Sequence, residues 1–150
     1  MKAAIDIGTN TVLLLVAEIT ETGLKVVHEE QRMPRLGKGV DLNKTLSINS
    51  IHRVVSSIKE YKNILETQYN DVSEIVVTAT SAVRDASNKN EFISTIKKET
   101  GFDVQLLSGA EEALLKERCR YWEMNQKAMF LFSILVVAVL KLPLAEMVSL

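Results

Sequence analysis

Three β-rich runs crowd into the first 31 residues, and the links between them are too short to cross a sheet. Lys2–Ile7 leads through Gly8-Thr9-Asn10 into Thr11–Ile19, and the turn Glu21-Thr22-Gly23 leads into Leu24–Gln31. A parallel pair needs a crossover of a dozen or more residues, so short turns between three such runs point to an antiparallel meander. The rest of the chain alternates. Pro34 through Asn43, with Gly37 and Gly39, reads as a loop. Ser47 is a plausible N-cap, and Ile51, Val54, Val55, Ile58, Tyr61 and Leu65 recur at helical spacing, which predicts an amphipathic helix over 48–68. Glu74–Thr80 is a β-branched run, read as a buried strand. Glu91–Thr100 is a helix closed by Gly101, Phe102–Leu107 a strand, and a further helix begins at Gly109. The order β-β-β-α-β-α-β-α belongs to the α/β class.

Composition narrows the function. Eighteen Lys+Arg against nineteen Asp+Glu give a net charge of −1, so nothing favours general binding to nucleic acid or anionic membranes. One cysteine, Cys119, rules out an internal disulfide framework and any multi-cysteine metal site. Two histidines, His28 and His52, have no spacing suited to a metal. The start of the chain has no basic segment, short apolar core and cleavage site, so the expected location is the cytoplasm.

Three stretches carry candidate chemistry. In Asp6-Ile7-Gly8-Thr9-Asn10-Thr11 a carboxylate ends a strand, then a glycine and three small polar residues follow. Glycine permits close backbone approach, and N–H groups and hydroxyls in a tight turn can hold phosphate oxygens. Asp6 could hold Mg²⁺, a hard cation that takes oxygen ligands. The same residues also suit an ordinary polar turn. In Ala79-Thr80-Ser81-Ala82-Val83-Arg84-Asp85, Arg84 could fork onto a phosphate, or Ser81 could simply cap a helix with Arg84 in solvent. In Ser108-Gly109-Ala110-Glu111-Glu112-Ala113, two acids open a helix. They compensate its dipole, or one of them is a general base that orients water. Arg32, Arg35 and Lys38 read as a solvated group basic enough to meet a polyanion.

Together the pieces are more specific. Three antiparallel strands followed by strand–helix alternation is the ribonuclease-H-like arrangement, and two such halves around a phosphate cleft make the actin-like ATPase fold. Ala3–Val16, Arg35-Leu36-Gly37-Lys38-Gly39-Val40-Asp41, Thr78–Asn88 and Leu107–Leu114 stand in the order and spacing of the N-terminal domain of the exopolyphosphatase / guanosine pentaphosphate phosphatase (Ppx/GppA) family. The chain resembles that domain over residues 1–115. The resemblance implies an actin-like fold and hydrolysis of phosphoanhydride bonds in inorganic polyphosphate or guanosine pentaphosphate, with Mg²⁺. It implies that Gly8, Thr9, Asn10 and Thr11, with Thr80, Ser81 and Arg84, face phosphate. Asp6 would position the metal and Glu112 would be the catalytic base. Intact members of such a family are expected to be homodimers. An actin-like sugar kinase shares only the Asp-x-Gly-Thr opening.

After Leu115 the style of the sequence changes. Residues 1–115 hold all six glycines and a net charge of −3, whereas 116–150 hold no glycine and a net charge of +2. The family resemblance leads one to expect a second phosphate loop, Asp-Ile-Gly-Gly-Gly-Ser-Thr/Val-Glu, where this chain reads Ile134-Leu135-Val136-Val137-Ala138-Val139-Leu140-Lys141. The codons GAT ATT GGT GGT GGC AGT GTT GAA encode Asp-Ile-Gly-Gly-Gly-Ser-Val-Glu. Read one base later they run ATA TTG GTG GTG GCA GTG TTG AA, and with a purine next they encode Ile-Leu-Val-Val-Ala-Val-Leu-Lys, the residues observed. The expectation is an out-of-frame tail over 116–150. Its apolar stretch 128–140 would then be no selected membrane segment, and the 150-residue chain would bind phosphate at most, with little hydrolysis.

Overall fold

The computed structural model describes residues 1–20 and 23–118. Five strands form one sheet in the order β3-β2-β1-β4-β5. These are β1 (Lys2–Ile7), β2 (Val12–Thr20), β3 (Gly23–Arg32), β4 (Glu74–Ala79) and β5 (Val104–Leu106). β1 pairs antiparallel with β2, and β2 with β3, as the short turns require. β4 then lies parallel to β1 on its other side, and β5 parallel to β4. This is the ribonuclease-H-like order, with the first strand at the centre.

The helices fill the connections. α1 (Val40–Asn43) is a single turn, α2 (Ile48–Gln68) a long crossover, α3 (Ser81–Arg84) another single turn, and α4 (Lys89–Thr100) and α5 (Gly109–Arg118) complete the set. α2 begins where its cap predicts, with the Ser47 hydroxyl accepting from the Ser50 amide at 3.2 Å. Gly101 closes α4 in the left-handed region at φ +82°. The tail expected over 116–150, and its apolar stretch 128–140, lie outside the described residues from 119 onward.

Alternation along the strands divides the sheet. Ala3, Ile5, Ile7, Val12, Leu14 and Val16 pack with Val77 and Ala79 into the main core. α2 contributes Ile51, Val54, Ile58, Tyr61 and Leu65 to the same cluster, and α4 contributes Phe92 and Ile96. Each such side chain contributes about 1.5–3 kcal/mol by leaving water. Ala4, Leu13, Leu15 and Ala17 form a second, smaller cluster with Val26. The register of β2 and β3 slips between Val16 and Ala17, so Ala17 faces Val26 while Val16 faces His28. The extra residue, Val27, is a β-bulge that sends Val26 and His28 to opposite faces. His28 therefore lies against the Tyr69 ring, and Arg32 over Tyr61, both on the α2 side.

Candidate active site

The carboxyl ends of β1, β4 and β5 lie side by side, the place where open α/β sheets bind ligands. Three segments leave those ends and are bound to one another by backbone hydrogen bonds. The Thr80 amide donates to the Ile7 carbonyl at 3.3 Å, and the Leu107 amide to the Ala79 carbonyl at 3.0 Å. The turn after β1 closes on itself, the Gly8 amide donating to the Thr11 carbonyl at 2.9 Å.

Asp6 is buried, 7% exposed, and one carboxylate oxygen accepts the Thr78 hydroxyl at 3.1 Å. Asp6 and Thr78 are partners across β1 and β4, so the sheet register fixes this contact. Thr9 and Asn10 are exposed at the turn. The Thr9 and Ser81 hydroxyls meet at 3.1 Å and bring the first and second segments together. Thr80, buried, precedes α3 without a side-chain capping bond, and Ser81 is the first helical residue rather than the cap. A cavity of about 50 Å³ opens between Thr9, Gly37, Lys44, Ser81 and Asp85. That exceeds the space one water needs, so a phosphoryl group could enter it.

The loop after β3 completes this corner. The Arg35 amide donates to the Asn10 carbonyl at 3.0 Å and the Gly37 amide to the Thr9 carbonyl at 2.8 Å. The approach is close: a Cβ at Gly37 would come within 2.3 Å of Thr9 Cγ2.

Arg84 is placed differently from both sequence readings. Its Nη1 donates to the Leu107 carbonyl and to Glu112 Oε2, each at 3.1 Å, and its Nε lies 3.5 Å from Asp85 Oδ1. It is partly exposed, and its Nη1 and Nε face protein acceptors. It ties the second segment to the third and fixes the Glu112 carboxylate, which is 14% exposed. The two acids of α5 divide their roles. Glu111 Oε2 accepts the Ser108 amide at 2.7 Å while the Ser108 hydroxyl accepts the Glu111 amide at 3.2 Å, a capping box. Glu112 takes no part in the box. The spacing Ser-x-x-Glu was the signal in the sequence for this division. The contributions of Lys44 and Gly37 had no comparable local sign.

The sequence signature of the Ppx/GppA phosphatase family matches residues 15–131. The chain belongs to the Ppx/GppA phosphatase family. It is 33% identical over 125 residues to exopolyphosphatase 2 of Mycobacterium tuberculosis, covering 77% of this chain and 39% of that protein. It is 34% identical over 120 residues to the bifunctional 3-dehydroquinate synthase/phosphatase of Fusobacterium nucleatum, covering 77% of this chain and 18% of that protein. Among solved structures, an exopolyphosphatase from Cytophaga hutchinsonii superposes with a TM-score of 0.73 at 35% identity, over 79% of this chain and 37% of that one. The Aquifex aeolicus Ppx/GppA protein gives 0.70 at 31% identity, over 76% and 37%. The chain therefore spans less than two-fifths of each of these relatives, and with the solved Ppx/GppA structures it shares the actin-like fold. No described helix is long and apolar enough to cross a membrane.

Proposed function

We propose that this Ppx/GppA chain forms one wall of a phosphoanhydride-hydrolysing cleft whose substrate is inorganic polyphosphate. The observation that carries the reading is the convergence of the Thr9 and Ser81 hydroxyls with the Arg84–Glu112 pair at the carboxyl ends of three parallel strands. Phosphoryl transfer needs positioning, charge neutralisation and an oriented nucleophile more than covalent help. Gly8, Thr9, Asn10 and Thr11, with Thr80 and Ser81, supply amides and hydroxyls for phosphate oxygens. Glu112 acts as the base that orients water, held in one direction by Arg84. Arg84, partly exposed, would meet phosphate from beside its bond to Glu112. The exopolyphosphatase relatives favour polyphosphate; guanosine pentaphosphate is the other substrate that membership of the family suggests.

Mg²⁺ fits these residues in a limited way. Asp6 offers a hard carboxylate beside hydroxyls, yet no three His, Cys, Asp or Glu side chains gather among the described residues. Mg²⁺ commonly keeps several waters and binds through one or two carboxylates and substrate phosphates, so Asp6 would hold it with the substrate's help. The bound ion would neutralise phosphate charge.

Hydrolysis in this reading also needs a second, glycine-rich phosphate loop on the facing wall. No glycine follows Gly109 in these 150 residues, so they do not contain such a loop. We attribute residues 116–150 to a shifted reading frame. Resequencing the locus tests that attribution, which falls if no one-base change restores the loop. The site itself is tested by titrating the chain with tripolyphosphate and Mg²⁺ while following backbone amide resonances. Shifts should concentrate at 8–11 and 80–84, and Ser81→Ala should weaken them. Binding with those amides silent would overturn the assignment.

A further inference from the structure

Arg84 is bound to Glu112, Asp85 and the Leu107 carbonyl, so a polyanion longer than one phosphate needs further cations beside it. The segment 34–46 holds three, Arg35, Lys38 and Lys44, against the single acid Asp41. All three are exposed, and no hydrogen bond or ion pair engages their side chains among the described residues. Lys44 lines the cavity that Thr9 and Ser81 share. Asp85 lines it too, with its carboxylate already beside Arg84. The loop is bonded to the phosphate turn through Arg35 and Gly37, so its charges cannot drift from it.

Two of the three cations stand on strained backbone. Arg35 at φ +54° and Lys44 at φ +51° are the only non-glycine residues with positive φ among those described. Glycine would adopt this conformation without penalty, and side chains kept there cluster where a site requires them. Lys44 is clamped in place. Its amide donates to the Val40 carbonyl at 2.7 Å, and its carbonyl accepts the Ser87 amide at 2.7 Å and the Ser87 hydroxyl at 2.9 Å. Arg35 is fixed by its bond to Asn10.

We infer that Arg35, Lys38 and Lys44 form a cationic clamp for the phosphates that follow the one held at Thr9 and Ser81, and so select long polyphosphate chains over short ones. The inference rests on the phosphate site proposed above. A short substrate fills the hydroxyl corner alone, whereas a long one also lies across the loop and neutralises its charges. Electrostatic binding of this kind weakens with added salt.

The test compares tripolyphosphate with long-chain polyphosphate on the full 150-residue chain, the wild type against Arg35→Gly, Lys38→Gln and the double variant, neither residue lining the cavity at Thr9 and Ser81. Glycine suits the left-handed backbone at Arg35, and Lys38 is exposed, so these variants lose charge with little effect on folding. The expected result is that long chains bind the wild type about tenfold more tightly per chain end, with a steeper salt dependence, and that the double variant loses this advantage. Tripolyphosphate binding should change little. If the variants fold and keep the long-chain advantage, the clamp is wrong and the hydroxyl corner stands. If neither probe shifts the amides of 8–11 and 80–84, the phosphate site fails and the clamp fails with it.

Discussion

Gly37 has no room for a side chain. A methyl group there would meet Thr9 Cγ2 at 2.3 Å, the Thr9 carbonyl oxygen at 3.3 Å and Ala82 Cβ at 3.4 Å. Thr9 can relieve the first contact only by turning its side chain, which breaks the 3.1 Å contact with Ser81. Gly37→Ala should therefore cost about 1–3 kcal/mol in urea unfolding, and much of that cost should vanish in a Thr9→Ser background, where Cγ2 is gone. Tyr61 offers a different test. It is fully buried and its hydroxyl donates to the Val12 carbonyl at 2.8 Å. Burial holds its phenol un-ionised well above the ordinary value of 10.0. The unfolded chain then loses that proton first. This share of stability is whole below pH 10 or so and declines above it, by at most about 1.4 kcal/mol per pH unit. Tyr61→Phe should cost about 1 kcal/mol at neutral pH and flatten the alkaline decline. At this scale the sequence shows residue types and hides partners. Arg84 and Glu112 lie 28 residues apart, and only the sheet brings them to 3.1 Å. Glu111 was more legible, because a capping box is a local pattern.

The elements follow local physics where they are long. α2 runs over 48–68 as its periodicity and cap predict, since six buried apolar side chains recur along one face. β1, β2, β3 and β4 lie within one or two residues of their β-rich runs. The single turn α1 falls inside the expected loop 34–43, because four residues are too few for a period to show, and α3 starts at Ser81 itself, one residue before a cap at Ser81 would place it. β5 keeps only Val104–Leu106 of the expected Phe102–Leu107, since three residues pair with β4 while Phe102 packs against the core. α5 depends on its first turn. Ser108→Ala should remove one half of the capping box, cost about 1 kcal/mol in thermal unfolding, and loosen Glu112 in the next position. Glu111→Gln, which keeps an acceptor oxygen, should cost less.

For the whole molecule, the proposed single wall of a cleft would set a limit on activity. Losing one set of transition-state donors typically costs 100-fold or more, so the 150-residue chain should release phosphate from polyphosphate no faster than buffer while still binding it. A colorimetric phosphate assay checks this, and steady turnover would refute it. In a chain that carries the facing loop, Glu112→Gln should reduce turnover by about 100-fold or more with little change in binding.

The order of the strands has a consequence during synthesis. β1 leaves the ribosome first, yet its parallel partner follows 72 residues later, Lys2 beside Glu74. Until β4 emerges, the β1–β3 meander presents β1 as a bare edge, apolar at Ala3, Ala4, Ile5 and Ile7 and charged only at Lys2 and Asp6. Unpaired apolar edges recruit other strands. A translating ribosome that stalled before residue 74 would display a sticky half-sheet, so the tempo of elongation between α2 and β4 governs how much of the newborn chain reaches its fold rather than a neighbour's.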